Sequence, residues 1–298
     1  MLYFLPKPVR GVLALLLYTV NTLFWFVAVM LLAVLKLPPI KPWQGFINRL
    51  LDGCAVAWIS INNFTTWLFT RIQWQVSGVE QLARKDWYLL LANHQSWADI
   101  LVLQNLFNRR IPFIKFFLKK ELLYVPFLGL AWWALDFPFM KRYSKAILQK
   151  KPHLQGKDIE TTRKACEKFR FKPVTVMNFV EGTRLTPEKH QQQGSPYQHL
   201  LMPKAGGVAF VLGAMGQQLQ HILDVTIHYP ERTPSFWDYI SGGVHAIQVR
   251  VRVLPITQEL LGDYQDPVFR ASFQQWVNAL WQYKDQQLAE MKSQPERT

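Results

Sequence analysis

A histidine and an aspartate five positions apart, His94 and Asp99, follow a short apolar run, and residues 179–184 later in the chain are Phe-Val-Glu-Gly-Thr-Arg. An imidazole, whose ordinary pKa is about 6.5, can remove a proton from a hydroxyl near neutral pH. A carboxylate on its other ring nitrogen selects the useful tautomer and stabilises the imidazolium that forms. A guanidinium binds a phosphate through two parallel hydrogen bonds. The two segments therefore predict that His94, oriented by Asp99, deprotonates a hydroxyl of a substrate whose anionic group is held by Arg184.

The elements that position these residues are two buried strands and a helix. Apolar runs at residues 87–92 and 174–180 predict strands that end at the two segments. Asp99 is expected in the first turn of a helix that continues through Phe107, where the helix dipole favours a carboxylate. Because sites in α/β folds lie at the carboxyl ends of strands, we expect both segments to belong to one α/β domain and to meet at one edge of its sheet.

The rest of the chain shows a similar alternation of apolar and polar segments. It predicts a strand at 136–140, a polar loop at 150–158, an amphipathic helix at 159–171, a mobile loop at 186–197, a helix at 204–215, strands at 225–229 and 244–254, and a C-terminal helix at 268–292. The apolar spacing of that last helix assigns to its packed face Phe273, Trp276, Leu280, Tyr283 and Leu288.

The two segments resemble the first and third sequence blocks of the lysophosphatidate (1-acylglycerol-3-phosphate) acyltransferase family. The resemblance extends from about Trp74 to about Pro230. Lys141 and Arg142 in the second block, and residues 224–230 in the fourth, are most similar to a lysocardiolipin acyltransferase-like branch. A histidine and an aspartate at this spacing recur by chance in many proteins, but not with Phe-x-Glu-Gly-Thr-Arg at this distance.

The resemblance implies a mixed, mostly parallel sheet flanked by helices and transfer of a fatty acyl group from acyl-CoA or acyl-carrier protein. The implied acceptor is the free hydroxyl of 1-acylglycerol 3-phosphate, the product is phosphatidate, and no cofactor or metal is implied. In members of the family the histidine is the base and the aspartate orients it, which assigns these roles to His94 and Asp99. The candidate substrate-binding residues are Glu181, Gly182, Thr183, Arg184, Lys141 and Arg142.

Each of these candidates has a physical role to which it is suited. Lys141 and Arg142 would supplement the charge of Arg184. Glu181 could accept hydrogen bonds from glycerol hydroxyls or hold the guanidinium in place, and Gly182 lets the backbone approach a ligand closely. Lys204 is a further candidate for a phosphate contact.

Other functions remain open at the level of sequence. The third block of the family often has proline where this chain has Val180, and the fourth block here lacks its usual internal proline. These departures bear on the identity of the acceptor, so an enzyme that remodels lysophosphatidylglycerol or another headgroup-bearing lysophospholipid is the alternative. A lipid hydrolase would use the same base with water as the nucleophile. A non-catalytic membrane-binding protein would account for composition and charge alone.

Composition favours a phospholipid surface as the partner. Half of the residues are hydrophobic, 14% are aromatic, and the formal net charge is +14. Such a charge indicates an anionic partner. Nucleic acid is disfavoured because no zinc-ligand spacing, RNA-recognition sequence or basic recognition helix accompanies the charge. Two cysteines form neither a disulfide framework nor a metal cluster.

The N-terminal region predicts a pair of membrane-embedded helices. Residues 11–35 carry no charge, and as a helix they would extend about 37 Å, enough for the hydrocarbon core of a bilayer. A second stretch, 50–70, is more polar, so a hairpin across the bilayer and two helices within one leaflet both remain possible. We predict membrane helices at 1–70 and an acyltransferase domain at 71–298. Use of a cytosolic acyl donor would place this domain on the cytoplasmic face of the inner membrane.

Overall fold

A six-stranded sheet lies at the centre of the computed structural model, which describes residues 1–140 and 172–293. Its strands are β1 (Gln73–Ser77), β2 (Tyr88–Ala92), β3 (Ile114–Phe116), β6 (Thr175–Phe179), β7 (His221–His228) and β8 (Ala246–Pro255). They are arranged in the order β1-β8-β7-β2-β6-β3, and the pairing of β7 with β8 is the antiparallel one. The predicted mixed, mostly parallel sheet is therefore confirmed, whereas β1 was not predicted.

The register of the sheet brings three carboxyl ends together. Ala92 at the end of β2 lies opposite Phe179 of β6 and Val225 of β7, and both pairings are parallel. Every residue of β2 is buried, as expected for a continuous apolar strand covered on both faces. The two predicted strands before the candidate residues are thus neighbours in the sheet.

Helices cover both faces of the sheet. They are α1 (Lys7–Leu35), α2 (Lys41–Phe69), α3 (Ala98–Phe107), α4 (Leu128–Ala134), α5 (Pro187–Gln193), α6 (Ala205–Met215), α7 (Phe236–Ser241) and α8 (Pro267–Ser293). Side chains of α1, α3 and α7 pack in one core with one face of the sheet, and those of α6 and α8 pack against the other. Short 3₁₀ turns occur at Lys120–Tyr124 and Gln258–Leu260. The small second sheet pairs β4 (Leu118–Lys119) with β5 (Phe139–Met140).

The two N-terminal helices pack side by side through polar contacts as well as apolar ones. The hydroxyl of Tyr18 lies 2.8 Å from that of Thr66, and the amide of Asn21 donates to the side chain of Asn62 across 2.8 Å. By length and composition, α1 is the helix of the described residues that could cross a membrane. Since Tyr18 shares its core with the sheet, the division of the chain at residue 70 stays a prediction.

The predicted loop at 186–197 is wrong, because most of it forms α5. The hydroxyl of Thr186 caps this helix by accepting from the backbone N–H of Lys189, and Pro187 occupies the first turn. Gly194 ends it with a left-handed φ of 55°. These are ordinary start and stop signals for a helix, which the polar composition of the segment obscured.

The face assigned to the C-terminal helix also needs correction. Tyr283 is exposed, and the guanidinium of Arg252 lies over its ring at 3.6 Å. The neighbouring Lys284 is fully buried instead, paired with Asp224 of β7.

Three further predictions have other outcomes. The predicted strand at 136–140 is reduced to β5. The predicted loop at 150–158 and helix at 159–171 lie outside the described residues.

Candidate active site

His94 and Asp99 form a hydrogen-bonded pair at the carboxyl end of β2. Nδ1 of His94 lies 2.9 Å from Oδ2 of Asp99, which is in the first turn of α3. The imidazole stacks on the ring of Phe179 at the end of β6, with centroids 3.9 Å apart and planes 11° from parallel. Since Nδ1 faces the carboxylate and the residue lines a cavity, Nε2 is the nitrogen available to a substrate.

Four donors hold the carboxylate of Asp99. Its Oδ2 accepts from the backbone N–H groups of Gln95 at 2.6 Å and Ser96 at 2.9 Å, in addition to His94. Its Oδ1 accepts from the hydroxyl of Tyr229 at 2.6 Å. Burial and the Asp99 charge raise the pKa of Tyr229 well above its ordinary value, which keeps the phenol protonated as a donor.

Tyr229 was not identified from the sequence. It follows β7 immediately, and the carboxyl end of β7 adjoins that of β2. The sequence did offer one signal for Tyr229. The fourth block, residues 224–230, ends at the same edge of the sheet as the first block, which contains His94. Asn93 joins the same two strand ends, since its side chain both donates to and accepts from the backbone of Ile227 at 2.9 Å.

The turn at residues 182–184 places the second segment beside the first. The backbone N–H of Gly182 donates to the carbonyl of Phe179 at 2.8 Å, and its φ of 70° is a conformation that favours glycine. The N–H of Leu185 donates to the carbonyl of His94 at 2.8 Å. Arg184 lies with its guanidinium over the ring of Trp97 at 4.7 Å. The structure therefore brings His94 and Arg184 to one cavity, which Gly182 and Thr183 also line.

Glu181 is placed differently from its neighbours. Its side chain is fully buried and does not line the cavity. Neither carboxylate oxygen makes a hydrogen bond of normal geometry within the described residues. Burial raises its pKa well above the ordinary value, although the backbone of His94 and the ammonium of Lys284 favour its charged form. Contact with glycerol hydroxyls would require this side chain to move.

Two lysines reinforce the cationic turn. Lys189 of α5 donates through Nζ to the hydroxyl of Thr183 at 2.8 Å and to the carbonyl of Arg184 at 3.2 Å. Lys204 is exposed, and its Nζ lies 3.3 Å from the position that a Cβ on Gly182 would occupy. Lys189 was missed because its segment was predicted to be a loop.

The remaining predicted cations, Lys141 and Arg142, lie outside the described residues. Their placement relative to the guanidinium of Arg184 stays a prediction.

The cavity has a volume of about 1200 Å³ and changes character along its length. Its polar end is formed by His94, Asn178 and the 182–184 turn. The remaining wall comes mainly from α1, α2 and the segment 113–137, and includes Leu23, Phe26, Ala55, Phe116, Ala131 and Phe137. A cavity larger than an ordinary small-molecule pocket, apolar over most of its wall and cationic at one end, suits an amphiphile with an anionic headgroup.

Comparison with known proteins establishes the family. The sequence profile of the Acyltransferase family matches residues 73–229, more than half of the chain, and the chain belongs to this family. A probable 1-acyl-sn-glycerol-3-phosphate acyltransferase 5 of Arabidopsis thaliana is 27% identical over 223 residues, covering 70% of this chain and 54% of that protein. Human 1-acyl-sn-glycerol-3-phosphate acyltransferase gamma is 24% identical over 214 residues, covering 67% and 52%. The chain thus spans about half the length of these relatives.

Two further relatives cover nearly all of the chain. Lysocardiolipin acyltransferase 1 of Danio rerio is 24% identical over 302 residues, covering 94% of this chain and 70% of that protein. The crystal structure of the 1-acyl-sn-glycerophosphate acyltransferase PlsC from Thermotoga maritima has a TM-score of 0.55 at 17% identity, covering 98% of this chain and 100% of that one. The chain shares its fold. The resemblance inferred from the sequence blocks is confirmed.

Proposed function

We propose that the protein transfers a fatty acyl group from acyl-CoA or acyl-carrier protein to the free hydroxyl of 1-acylglycerol 3-phosphate, forming phosphatidate. The observation that carries this proposal is the shared cavity of His94 and Arg184, which continues into a long apolar space. A base, an anion-binding group and room for an acyl chain are the three requirements of this reaction. The names of the curated relatives support the same acceptor.

The proposed reaction proceeds in a single ternary complex. Nε2 of His94 takes the proton of the acceptor hydroxyl as its oxygen attacks the thioester carbonyl. Asp99 stabilises the imidazolium that forms. The tetrahedral intermediate then collapses, the carbon–sulfur bond breaks, and the thiolate leaves with the proton from His94. An ester and a free thiol are the products, and no acyl-enzyme is formed.

Arg184 is proposed to bind the acceptor phosphate. Bidentate binding of the phosphate by the guanidinium fixes the direction of the acceptor's free hydroxyl, which lowers the entropic cost of attack. Stacking on Trp97 limits the rotamers of the guanidinium in advance. Lys141 and Arg142 are proposed as additional phosphate ligands, and Glu181 as a buried support of the turn.

The oxyanion of the intermediate requires N–H donors that the fold has not already used. The backbone N–H of Gly182 donates to Phe179, and that of Leu185 donates to His94. The amides of Thr183 and Arg184 are therefore the proposed donors.

The N-terminal helix pair is proposed to lie within one leaflet rather than to cross the bilayer. Lys7 at the start of α1 pairs with Asp238 at 3.0 Å, and Lys36 just after its end pairs with Asp136 at 2.6 Å. Both ends of the helix thus contact the catalytic region, whereas a spanning hairpin would carry one end away from it. A cytosolic donor then places the protein on the cytoplasmic face of the inner membrane.

An acceptor panel tests the proposal. Purified protein with acyl-CoA should acylate 1-acylglycerol 3-phosphate in mixed micelles, and His94→Ala should remove this activity while the thermal unfolding transition is retained. The variant should lose at least about three orders of magnitude in kcat, since no other group takes the proton.

The panel also tests the alternative acceptor, a headgroup-bearing lysophospholipid. The lysocardiolipin acyltransferase relative, whose match covers 94% of this chain, supports that alternative. Acylation of lysophosphatidylglycerol or lysocardiolipin with no reaction on 1-acylglycerol 3-phosphate would replace the proposed acceptor. Release of fatty acid without any acceptor would indicate a hydrolase instead.

A further inference from the structure

A second apolar surface lies on the catalytic region beside α1. It consists of four exposed side chains within residues 120–134, of which the last two lie about one turn apart on α4: Tyr124, Phe127, Leu130 and Trp133. Each of these side chains is about half exposed or more. Large apolar side chains clustered on a surface indicate a binding face. We call these four residues the 124–133 patch.

The patch is continuous with the exposed face of α1. The rings of Phe26 and Phe127 meet edge to face, with centroids 5.3 Å apart. Beyond Phe26, α1 presents a row of exposed apolar side chains, which includes Leu23, Phe24, Val27 and Leu31. Since α1 has the length and composition of a membrane helix, the partner that covers α1 also reaches the patch.

Phe127 connects the patch to the active-site cavity. It has a φ of 61° and a ψ of −53°, in a γ-turn closed by a 2.7 Å hydrogen bond from the N–H of Leu128 to the carbonyl of Pro126. A residue other than glycine in this conformation costs about 1–3 kcal/mol, and such strain is concentrated at functional positions. The turn leaves Phe127 half exposed while it also lines the cavity, together with Pro126, Leu128 and Phe26.

We propose that the 124–133 patch inserts into the same leaflet as α1, and that acyl chains pass between α1 and α4 from the leaflet into the cavity. This inference rests on the proposed function for its substrate, a lipid already in the bilayer. A phospholipid leaflet fits the surface better than a protein does. The patch combines tryptophan and tyrosine with a phenylalanine and a leucine, as membrane interfaces do, and the exposed Lys120 precedes it in a chain of net charge +14.

The depth of the patch can be measured without any assay of catalysis. Full-length protein with Cys54→Ser and Cys166→Ser would carry a single fluorescent label at Leu130→Cys and be bound to phosphatidylcholine–phosphatidylglycerol vesicles. A matched control carries the label at Val268→Cys, an equally apolar and more exposed site at the start of α8. Spin-labelled lipids should quench the label at 130 strongly and leave that at 268 unchanged.

If the label at position 130 is as little quenched as the label at position 268, the proposed insertion of the patch into the leaflet is wrong. That outcome would leave a protein partner in solution as the occupant of the patch. Because the label reports depth alone, this result is separate from any failure to find acyltransfer.

The passage of lipid is tested by the double substitution Leu130→Ser and Trp133→Ser, since neither side chain lines the cavity. The rate with an acceptor embedded in vesicles should fall about tenfold, because two apolar contacts with the leaflet are lost. The rate with a short-chain, monomeric acceptor in solution should be unchanged. Equal losses with both acceptors, or no loss with either, would overturn the route between α1 and α4.

Discussion

The hydroxyl of Tyr229 donates to Oδ1 of Asp99 across 2.6 Å, while Oδ2 of the same carboxylate faces Nδ1 of His94. The proposed catalytic pair, His94 after β2 and Asp99 in α3, is therefore completed by a residue that follows β7. Tyr229 and Asp99 are both buried, so water does not compete for this contact. The phenol withdraws charge from the carboxylate and fixes its orientation.

Tyr229→Phe removes that hydrogen bond and little volume. We expect kcat to fall about tenfold, because one buried hydrogen bond to a charged group contributes about 1.5–3 kcal/mol and this one fixes the carboxylate that orients His94. The KM values for both substrates should change little, since the phenol does not line the cavity. Steady-state kinetics measures both values.

A purely structural role for Tyr229 would lower the unfolding temperature and leave kcat of the folded protein unchanged. Tyr264→Phe is the matched control, since Tyr264 packs among Phe210 and Phe273. It should leave kcat unchanged. A folded Tyr229→Phe variant with the kcat of the parent protein would contradict the assigned role.

Arg184→Lys keeps the positive charge but replaces the planar guanidinium, which can bind a phosphate through two hydrogen bonds, with an ammonium. The KM for a phosphate-bearing acceptor should rise about tenfold, and more in Arg184→Ala, because this bidentate binding is worth about 1.5–3 kcal/mol. The KM for acyl-CoA should change little. Steady-state kinetics with each substrate varied in turn measures both values, and Arg250→Lys, in the exposed pair with Glu290, serves as the control. A rise confined to the donor would assign Arg184 to acyl-CoA instead.

The sequence was sufficient to predict the elements that carry the candidate catalytic residues. Continuous apolar runs predicted β2 and β6, and the carboxylate at the helix start predicted α3. Their meeting at one edge follows from parallel pairing, which places Ala92 opposite Phe179. The pair His94 and Asp99 is local, so its geometry depends on a single turn.

What the sequence did not predict depends on contacts between distant segments. Tyr229 and Lys189 carry no local pattern that distinguishes them from surface residues. The burial of Lys284 was not predicted, because a buried lysine is recognised only through its partner, Asp224. Periodicity places apolar residues inside, so Tyr283 was assigned to the packed face, whereas its exposed ring stacks on the guanidinium of Arg252.

Lys284→Met tests how strongly this buried charge supports the site. Lys284 lies 2.5 Å from Asp224, donates to the carbonyl of Val225 at 2.6 Å and favours the charged form of Glu181. Its loss removes this counter-charge from Glu181 and leaves Asp224 paired with the guanidinium of Arg252, which should cost about 3 kcal/mol of unfolding free energy. Denaturant titration in detergent measures this value. Adding Asp224→Asn to the variant should recover part of the loss, and additive destabilisation would contradict direct pairing.

His228 should make the fold sensitive to mild acid. Burial and the nearby Lys292 and His199 lower the pKa of His228 from 6.5 to about 4. The folded state thus favours the neutral ring, while the unfolded state takes up a proton below about pH 6.5. The stability that this difference contributes is complete above pH 6.5 and is lost as the pH falls toward 4. With allowance for solvent near the ring, the loss is about 2 kcal/mol.

His228→Gln removes the titrating group and should flatten the decline in unfolding free energy between pH 6.5 and 4.5. Denaturant titrations at several pH values in that window measure the slope for both proteins. His221→Gln, at the opposite end of β7, is the matched control and should retain the slope of the parent protein. If His228→Gln keeps that slope as well, the acid sensitivity arises from other groups and the packing around His228 admits its charged form.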